Sequence, residues 1–368
     1  MSPLELSWAE AAYRNRIDYY PKLLSGIPFT PATGDRILWM PSVSATYCNS
    51  DLSSFRGAVG EFLRQLAITN KLSSVHINFL RDEEATALAG GLDQVDTKLK
   101  SLPRSMQSLL ESLKGVKDDY IRRTSLQYHW CNRNPNNSNM PYDSFDDYLR
   151  AFKSKRRIAI QRERSSVRED QGIRIDTVSG EEIRRHPGLV ARMFDIYLAT
   201  IQKMSFWGRQ YLTLEFFELL VRSDFCKHLC FICARHNSTG AELKAEDVFA
   251  GTINIVMDGI FYGRYWGCLT EHLIKNLHFE VCYWSAIDFC IKNGLTRMEP
   301  GAGGGDYKWA RGFDPVLVHS VHYICHPGLR RAIRQFVENE TEDNLELSEY
   351  LRRRRSKKGH RRSASKNL

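Results

Sequence analysis

The sequence predicts an α+β fold in two domains. At 368 residues the chain is long for a single hydrophobic core, so two domains are expected. Strand-like and helix-like segments are mixed, without the strict strand–helix–strand alternation of a parallel sheet. Hydrophobic residues make up 42% of the chain and charged residues 26%, which is typical of a soluble globular protein.

The first domain is predicted over residues 1–138. Apolar spacing indicates, in order, helix 4–16, helix 52–69, strand 75–79, helix 82–88 and strand 126–130. Three prolines exclude a central strand from residues 19–31, which are expected to form an extended edge or a loop. Residues 93–118 are polar and lysine-rich, and we interpret them as a surface insertion.

The second domain is predicted over residues 139–340, after an asparagine-rich loop. Ser144 is a suitable N-cap for its first helix, and Gly294 is a suitable C′ residue for a later one. The other predicted elements are strand 173–175, helices 180–202 and 213–223, strands 228–235, 248–256 and 260–266, helix 278–292, strands 295–299 and 316–325, and a helix from Gly328.

The net charge of +9 arises at the end of the chain. Residues 352–368 contain nine lysines and arginines and no acid, and the rest of the chain has equal numbers of basic and acidic residues. Such a segment buries little apolar surface, so residues 341–368 are expected to be a disordered tail. The tail is either a solvated end, a nuclear address or an RNA contact through phosphates.

The cysteines and the apolar runs of the sequence indicate the cellular compartment of the protein. The nine cysteines lack the spacing of a disulfide framework and mostly lie in apolar runs, which favours a reducing environment. No secretory start and no apolar run of about 20 residues is visible. The sequence therefore predicts a cytoplasmic protein without a membrane span, or a nuclear one through its tail, and it leaves the oligomeric state open.

Three motifs imitate cofactor or metal sites, and their context argues against each. Cys226–Cys233 has the spacing of an iron–sulfur motif, but a strand there sends Cys230 and Cys233 to opposite faces. The glycines of Glu299–Asp306 imitate a nucleotide loop, but too little chain follows to complete a dinucleotide-binding domain. His319, His322 and His326 suggest a metal site, but their spacing on a strand places the first two on opposite faces. We expect no metal and no tightly bound cofactor.

Residues 153–168 form a strongly basic predicted helix. Its seven cations exceed what solubility requires, although nearby acids partly offset them. The helix is either a solvated face or a phosphate-binding surface for a nucleotide-bearing donor or tRNA.

Residues 250–315 concentrate the candidate chemistry. Two apolar strands lead to Gly263-Arg264-Tyr265-Trp266-Gly267, and a later strand ends at Glu299 before a glycine-rich loop with Lys308 and Arg311. Polar and aromatic side chains at strand ends are where mixed α/β proteins build sites. We therefore expect a ligand cleft with a cationic, glycine-lined mouth.

The chain resembles the FemAB-like predicted N-acyltransferases, a family described for peptidoglycan biosynthesis or recognition. The matching segments cover about residues 7–340 and are Tyr19-Tyr20-Pro21-Lys22, residues 28–34, Ser73-Ser74-Val75-His76, Leu126-Gln127-Tyr128-His129-Trp130, Lys155-Arg156-Arg157, Trp207-Gly208-Arg209, residues 262–267, Phe279-Glu280 with Tyr283, Glu299 with Gly301-Ala302, Lys308 and Arg311-Gly312-Phe313.

The resemblance implies two tandem GNAT-like acyltransferase domains. The chain enters the family pattern late, so the first domain is expected to be N-terminally truncated. The family's Gly-Ala-Gln-Gly-Glu-His-Lys-like loop stands here as Gly301-Ala302-Gly303-Gly304-Gly305-Asp306-Tyr307-Lys308. The glutamine, acid and histidine of that loop are replaced, which bears on whether it orients a substrate.

The resemblance also implies direct attack of an amine on an acyl donor held between splayed strands. Such a reaction needs a base and a group that stabilises the oxyanion. Glu299 is the candidate base, and the alternative is a structural acid ion-paired with Arg264. Tyr283 is expected to supply a hydroxyl, and Glu280 to bind the amine.

The candidate binding residues are His129, Trp207, Arg264, Tyr265, Trp266, Gly267, Gly301, Lys308 and Arg311. Lys308 and Arg311 are expected to hold a donor phosphate or a substrate carboxylate, and the aromatic residues to shape the pocket. The expected co-substrate is acyl-CoA or aminoacyl-tRNA, and the acceptor is a small-molecule or peptide amine. The rival hypotheses are a non-catalytic ligand-binding module and an RNA-binding module that uses residues 153–168 or 352–368.

Overall fold

A computed structural model of the chain describes residues 3–28, 30–40, 49–90, 120–204, 210–269, 274–303 and 305–364. The predicted insertion at 93–118 and the candidate residue Trp207 lie outside these ranges. The chain divides into two compact units. Unit 1 contains residues 1–127 and 315–368, and unit 2 contains residues 128–314.

The described elements alternate irregularly between helix and strand. The helices are α1 (Pro3–Arg14), α2 (Asn49–Thr69), α3 (Asp82–Ala89), α4 (Phe145–Arg150), α5 (Ser154–Ser165), α6 (Leu189–Lys203), α7 (Leu214–Arg222), α8 (Leu277–Phe279), α9 (Ser285–Lys292), α10 (Asp306–Ala310) and α11 (Pro327–Ala364). The strands are β1 (Leu23–Ser25), β2 (Ser74–Leu80), β3 (Ile121–Cys131), β4 (Ile173–Ser179), β5 (Leu229–His236), β6 (Ala250–Met257), β7 (Ile260–Cys268), β8 (Arg297–Glu299) and β9 (Asp314–Ile324). The predicted α+β class is confirmed.

Unit 1 is built on a sheet with the strand order β1-β2-β9-β3. β1 pairs with β2 in parallel, and β2 pairs with β9 antiparallel. The proline-rich stretch 19–31 contributes only the three residues of β1 at the sheet edge, where missing N–H donors are tolerated. Buried apolar clusters that include Val75 and Val321, and Trp8 and Ile324, form the cores of this unit.

The chain after residue 340 is helical where the composition predicts disorder. Helix α11 continues to Ala364. Glu340 accepts hydrogen bonds from the Arg123 guanidinium of β3 at 2.6 and 2.7 Å, and Asn344 donates to the Thr124 carbonyl. Leu351 is buried. These contacts, at residues 340 to 351, stabilise the first part of the segment beyond residue 340.

Unit 2 has the strand order β3-β8-β7-β6-β5-β4. The strands from β4 to β7 pair antiparallel, whereas β7 and β8 pair in parallel. Helices α6 and α7 bury Met193, Ile196 and Phe217 in one core with Phe231 and Ile253 of the sheet. None of the described helices is both long and apolar enough to cross a membrane.

The predicted helix 180–202 is interrupted. A 3₁₀ turn covers Gly180–Arg185, and α6 starts only at Leu189. Pro187 disfavours helical geometry in the residue before it, and Gly188 has a φ of 78°, which lies in the left-handed region. The apolar spacing predicts the helical segments on both sides, and Pro187 and Gly188 interrupt the helix between them.

The cysteines and histidines that resemble cofactor or metal motifs in the sequence are buried or hydrogen-bonded within the protein. Burial raises the pKa of the Cys230 and Cys233 thiols on β5. His319 contacts Thr124, and Nδ1 of His326 accepts the N–H of Leu329 at the start of α11. No group of three or more His, Cys, Asp or Glu side chains suited to a metal occurs among the described residues.

Gly267 allows α6 to approach β7 closely. A Cβ at this position would lie 1.8 Å from the backbone oxygen of Ile196. The hydroxyl of Thr200, on the next turn of α6, donates to the carbonyl of Trp266 at 2.6 Å. Gly267, a candidate binding residue in the sequence, therefore has a packing role.

Gly267→Ala is expected to destabilise unit 2 by about 3 kcal/mol, because the added methyl group overlaps backbone atoms that cannot move independently. Urea unfolding followed by tryptophan fluorescence measures the change. Gly26→Ala is the matched control, since its Cβ would meet nothing closer than Asn78 Cβ at 4.0 Å. Equal unfolding midpoints for the two variants would contradict the packing role.

Candidate active site

The site lies in unit 2, where β7 and β8 stop pairing. The parallel pairs are Ile260 with Arg297, Phe261 with Met298 and Tyr262 with Glu299. β8 ends at Glu299, but β7 continues to Cys268. The register between β6 and β7 shifts at Arg264, the extra residue of a β-bulge. A gap between two parallel strands therefore begins beside Glu299.

The loop after β8 depends on glycine. A Cβ on Gly263 would lie 3.2 Å from the Cα of Pro300, so β7 approaches this loop closely. Gly301 and Gly303 have φ values of 89° and 80°, in the left-handed region that other residues rarely adopt. Two glycines of the predicted mouth are therefore required by the backbone conformation of the loop.

Glu299 forms a buried polar group with Arg297 and His129. Its side chain is 3% exposed. Arg297 Nη2 lies 2.9 Å from Glu299 Oε1, and His129 Nε2 lies 3.9 Å from Oε2. Burial, then Arg297 and Lys308, lower the pKa of His129 to about 3, so this imidazole is neutral near pH 7. The ion-pair partner of Glu299 is Arg297, rather than Arg264 as the sequence analysis considered.

Lys308 holds the glycine loop. Its Nζ donates to the carbonyls of Gly301 at 2.8 Å and Gly303 at 2.6 Å, and the residue is 2% exposed. Burial lowers the pKa of Lys308 to about 8. The ammonium also lowers the pKa of His129 and of His278, which lie on different elements. Lys308 therefore links the Glu299 group to the aromatic residues, and two of its N–H groups bond the loop.

Arg311 is compensated by a carboxylate of α5. Its Nη2 donates to Glu163 at 3.0 Å, and its guanidinium stacks 3.5 Å from the centre of the Phe279 ring. The Trp284 indole also donates to Glu163, at 3.2 Å. The carbonyl of Arg311 accepts a hydrogen bond from Tyr148. These contacts give Arg311 a structural role, whereas the sequence suggested a role in binding phosphate or carboxylate.

Glu280 is the acid of a second buried charge cluster. It is fully buried in the π-helical segment Glu280–Trp284, between α8 and α9. Arg164 and Arg168 approach its Oε1 to 3.1 and 2.8 Å, and the Ser285 hydroxyl donates to it at 3.0 Å. An acid with three donors is poorly placed to bind a substrate amine, so this geometry argues against the predicted role.

Internal contacts of the same kind compensate much of the positive charge of the basic segment 153–168. Arg156 donates to the carbonyl of Ala310 at 3.1 Å, and Arg164 and Arg168 pair with Glu280. Lys153, Lys155 and Arg162 remain exposed. Part of the charge of residues 153–168 is therefore directed into unit 2 rather than towards an external phosphate.

Aromatic residues of β7, α8, the π-helical segment and α10 form a connected group. Their ring centres are 5.3 Å apart for Trp266 and His278, 5.5 Å for His278 and Tyr283, and 6.0 Å for Tyr283 and Tyr307. Burial is the main cause that raises the pKa of Tyr283, which keeps its hydroxyl protonated. Tyr307 is 38% exposed, so this group reaches solvent.

Arg264 differs from the other arginines around the site. It is half-buried at the bulge of β7, and its guanidinium stacks over Tyr265 at 4.9 Å and donates to that hydroxyl at 3.2 Å. No carboxylate of the described residues forms an ion pair with it, whereas Arg297 and Arg311 each have one. The Tyr265 ring packs against Tyr197 in the core.

The structure thus brings Glu299, His129, Gly301 and Lys308 together. It places Glu280 and Arg311 in ion pairs and Gly267 in a close contact between helix and strand. Sequence reasoning missed Arg297, Glu163, His278 and Tyr307. Arg297 was detectable, because residues two apart on a strand share a face. Glu163 was not, since its partners are more than 100 residues away in the chain.

Glu163→Gln is expected to lower the free energy of unfolding of unit 2 by about 2 kcal/mol or more, because it leaves the buried Arg311 guanidinium without a counter-charge. Chemical denaturation measures this loss. Glu169→Gln is the control on the following turn, where the carboxylate is exposed. A Glu163 variant as stable as the Glu169 variant would refute the role of this ion pair.

The chain is similar in structure to FemX (12% identity, 84% of this chain and 85% of that chain, TM-score 0.44) and to L-PGS from Bacillus licheniformis (8%, 75% and 76%, TM-score 0.40). A tandem GNAT protein from the clavulanic acid biosynthesis pathway aligns with 11% identity over 81% and 76% of the chains, with a TM-score of 0.38. No curated protein matches in sequence. Residues 4–358 match the FemAB-like family of peptidoglycan biosynthesis or recognition, and the chain belongs to that family.

Proposed function

We propose that the protein transfers an acyl or aminoacyl group from an activated donor to an amine. The observation that carries this proposal is the buried Glu299 carboxylate at the point where β7 and β8 separate. Membership of the FemAB-like family supports transfer chemistry in general.

The gap between β7 and β8 is the proposed position of the donor. Strands that separate expose unpaired backbone N–H and C=O groups, which an acyl carbonyl and its chain can bond. Arg264 lies at this gap without an ion-pair partner among the described residues. We therefore place an anionic part of the donor near Arg264, such as a phosphate of acyl-CoA or of aminoacyl-tRNA.

Glu299 is the proposed general base. An ammonium acceptor must lose a proton before its nitrogen can attack the donor carbonyl. The new C–N bond then forms as the C–S or C–O bond to the donor breaks, and the leaving group takes up a proton. The neutral His129 near Glu299 adds no charge that would compete with an incoming amine.

A second candidate is a ligand-binding module without turnover. Glu299 is nearly inaccessible and already ion-paired with Arg297, and Lys308 is bonded to its own loop. These observations favour a rigid site over a reactive one. Binding of RNA by the α5 surface is less favoured, because its inward arginines are compensated by Glu280.

Glu299→Gln is expected to reduce turnover at least about 100-fold and to leave ligand affinity nearly unchanged, because the amide keeps the shape but cannot accept a proton. The assay combines the purified protein with acyl-CoA or aminoacyl-tRNA and a panel of amines, with product detection by mass spectrometry. Glu242→Gln, at an exposed position, is the control. Turnover by Glu299→Gln at the control rate would exclude this residue as the base.

Arg264→Gln is expected to weaken binding of the phosphate-bearing donor about tenfold or more, through loss of a cation that no carboxylate of the described residues compensates. Isothermal titration calorimetry with CoA, acyl-CoA and aminoacyl-tRNA measures it, with the exposed Arg162→Gln as the charge-matched control. Equal loss in both variants would indicate a general charge effect. Tight binding without product from any amine would favour the non-catalytic module.

A further inference from the structure

Unit 1 contains a buried histidine pair outside the candidate active site. Nδ1 of His76 on β2 lies 2.8 Å from Nδ1 of His322 on β9, and the two residues are direct cross-strand partners. His76 is fully buried and His322 is 1% exposed. Two ring nitrogens at this distance share one hydrogen, so one imidazole donates and the other accepts.

The pair supports the N-terminal segment of the chain. Trp8 of α1 packs edge-on against His322, with ring centres 4.9 Å apart, and its ring centre lies 6.2 Å from that of His76. The centre of the Tyr19 ring lies 6.1 Å from that of His76. Ser74 Oγ lies 2.8 Å from His76 Nε2 and fixes the ring of His76. Both α1 and the chain that follows it therefore rest on this pair.

The surroundings of the pair disfavour an added proton. Burial lowers the pKa of His76 to about 3 and that of His322 well below its usual value. Among the described residues, the charged side chains that act on the pair are cations, Lys22 on both rings and Arg123 on His322. Arg123 is itself ion-paired with Glu340 at 2.6 Å, and no carboxylate of the described residues acts on either ring.

We propose that the His76–His322 pair is an acid-sensitive lock that holds α1 and residues 17–22 on the sheet of unit 1. A proton added to either ring would place an imidazolium in an apolar site beside cations. In the tautomer in which His322 Nδ1–H donates to His76, a proton added to His322 would also create an Nε2–H group for which the described residues offer no acceptor. Release of the N-terminal segment relieves both costs by exposing the rings to water.

The direction of the pH effect follows from proton linkage. We call the state with α1 and residues 17–22 on the sheet closed, and the state with this segment released open. In the open state the rings have the ordinary histidine pKa of 6.5, whereas in the closed state the pKa of His76 is about 3. The open state therefore binds more protons at every pH between these values. The closed state is fully favoured above about pH 6.5 and loses its advantage as the pH falls towards the folded value.

Native-state hydrogen exchange of the full chain tests the lock between about pH 7.5 and 4.5, above the ordinary pKa of most carboxylates. Protection of the α1 amides is expected to change little above about pH 6.5 and to fall below it, with a slope that approaches about tenfold per pH unit for each ring that titrates, hence about two. The β5 and β6 amides of unit 2 serve as the internal control. Protection of α1 that stays constant over this range would overturn the proposal.

The matched variant is His322→Asn, because an asparagine amide donates to His76 Nδ1 without titrating. Its slope is expected to fall to about one, whereas His186→Asn in unit 2 keeps the wild-type slope. An unchanged slope in His322→Asn would overturn the proposal. Should that variant lose α1 protection at pH 7.5, ¹⁵N imidazole spectra of the wild type decide: titration of either ring near pH 6.5 while α1 stays protected refutes the lock.

Discussion

The arrangement of the site depends on buried charge compensation between α5 and the segments around it. Glu163 bonds Arg311 and the Trp284 indole, and Glu280 bonds Arg164 and Arg168. Buried charges are tolerated only when they are paired and hydrogen-bonded, so each pair fixes the two elements that supply it. In this way α5 determines where the π-helical segment and α10 lie, and these position the aromatic residues and Lys308.

Charge compensation also separates structural from functional cations. A sequence full of arginines near a strand end suggests many ligands for an anion. The structure gives Arg297 and Arg311 carboxylate partners, whereas the half-buried guanidinium of Arg264 contacts Tyr265 and pairs with no carboxylate of the described residues. Lys308 lies between these two cases, because it bonds two carbonyl groups and forms no ion pair with a carboxylate in the described part of the chain. The proposed anion contact therefore rests on one residue rather than on a cationic patch.

The two units use buried polar groups differently. In unit 2 acids and bases meet as ion pairs, whose geometry changes little near neutral pH. In unit 1 two neutral imidazoles share a hydrogen under the N-terminal segment, near cations. Ion pairs tie elements together over a broad pH range, whereas an imidazole pair does so only while both rings stay neutral.

The sequence alone determined the elements and the place of the site. Apolar periods of 2 and 3.6 are local properties, so strands such as 260–266 and helices such as 213–223 were predicted near their observed bounds. The strand end at Glu299 and the glycine loop were likewise readable, since they need special residues at fixed positions.

Only the tertiary structure decided which charged side chains are paired inside the protein and which remain available for a ligand. Whether Glu280 binds a substrate or two arginines, and whether Gly267 faces a ligand or the Ile196 carbonyl, depends on contacts between residues distant in the chain. The helix after residue 340 also depends on such contacts, with Arg123 and Thr124. Composition describes a segment by itself, but burial and pairing are properties of the whole fold.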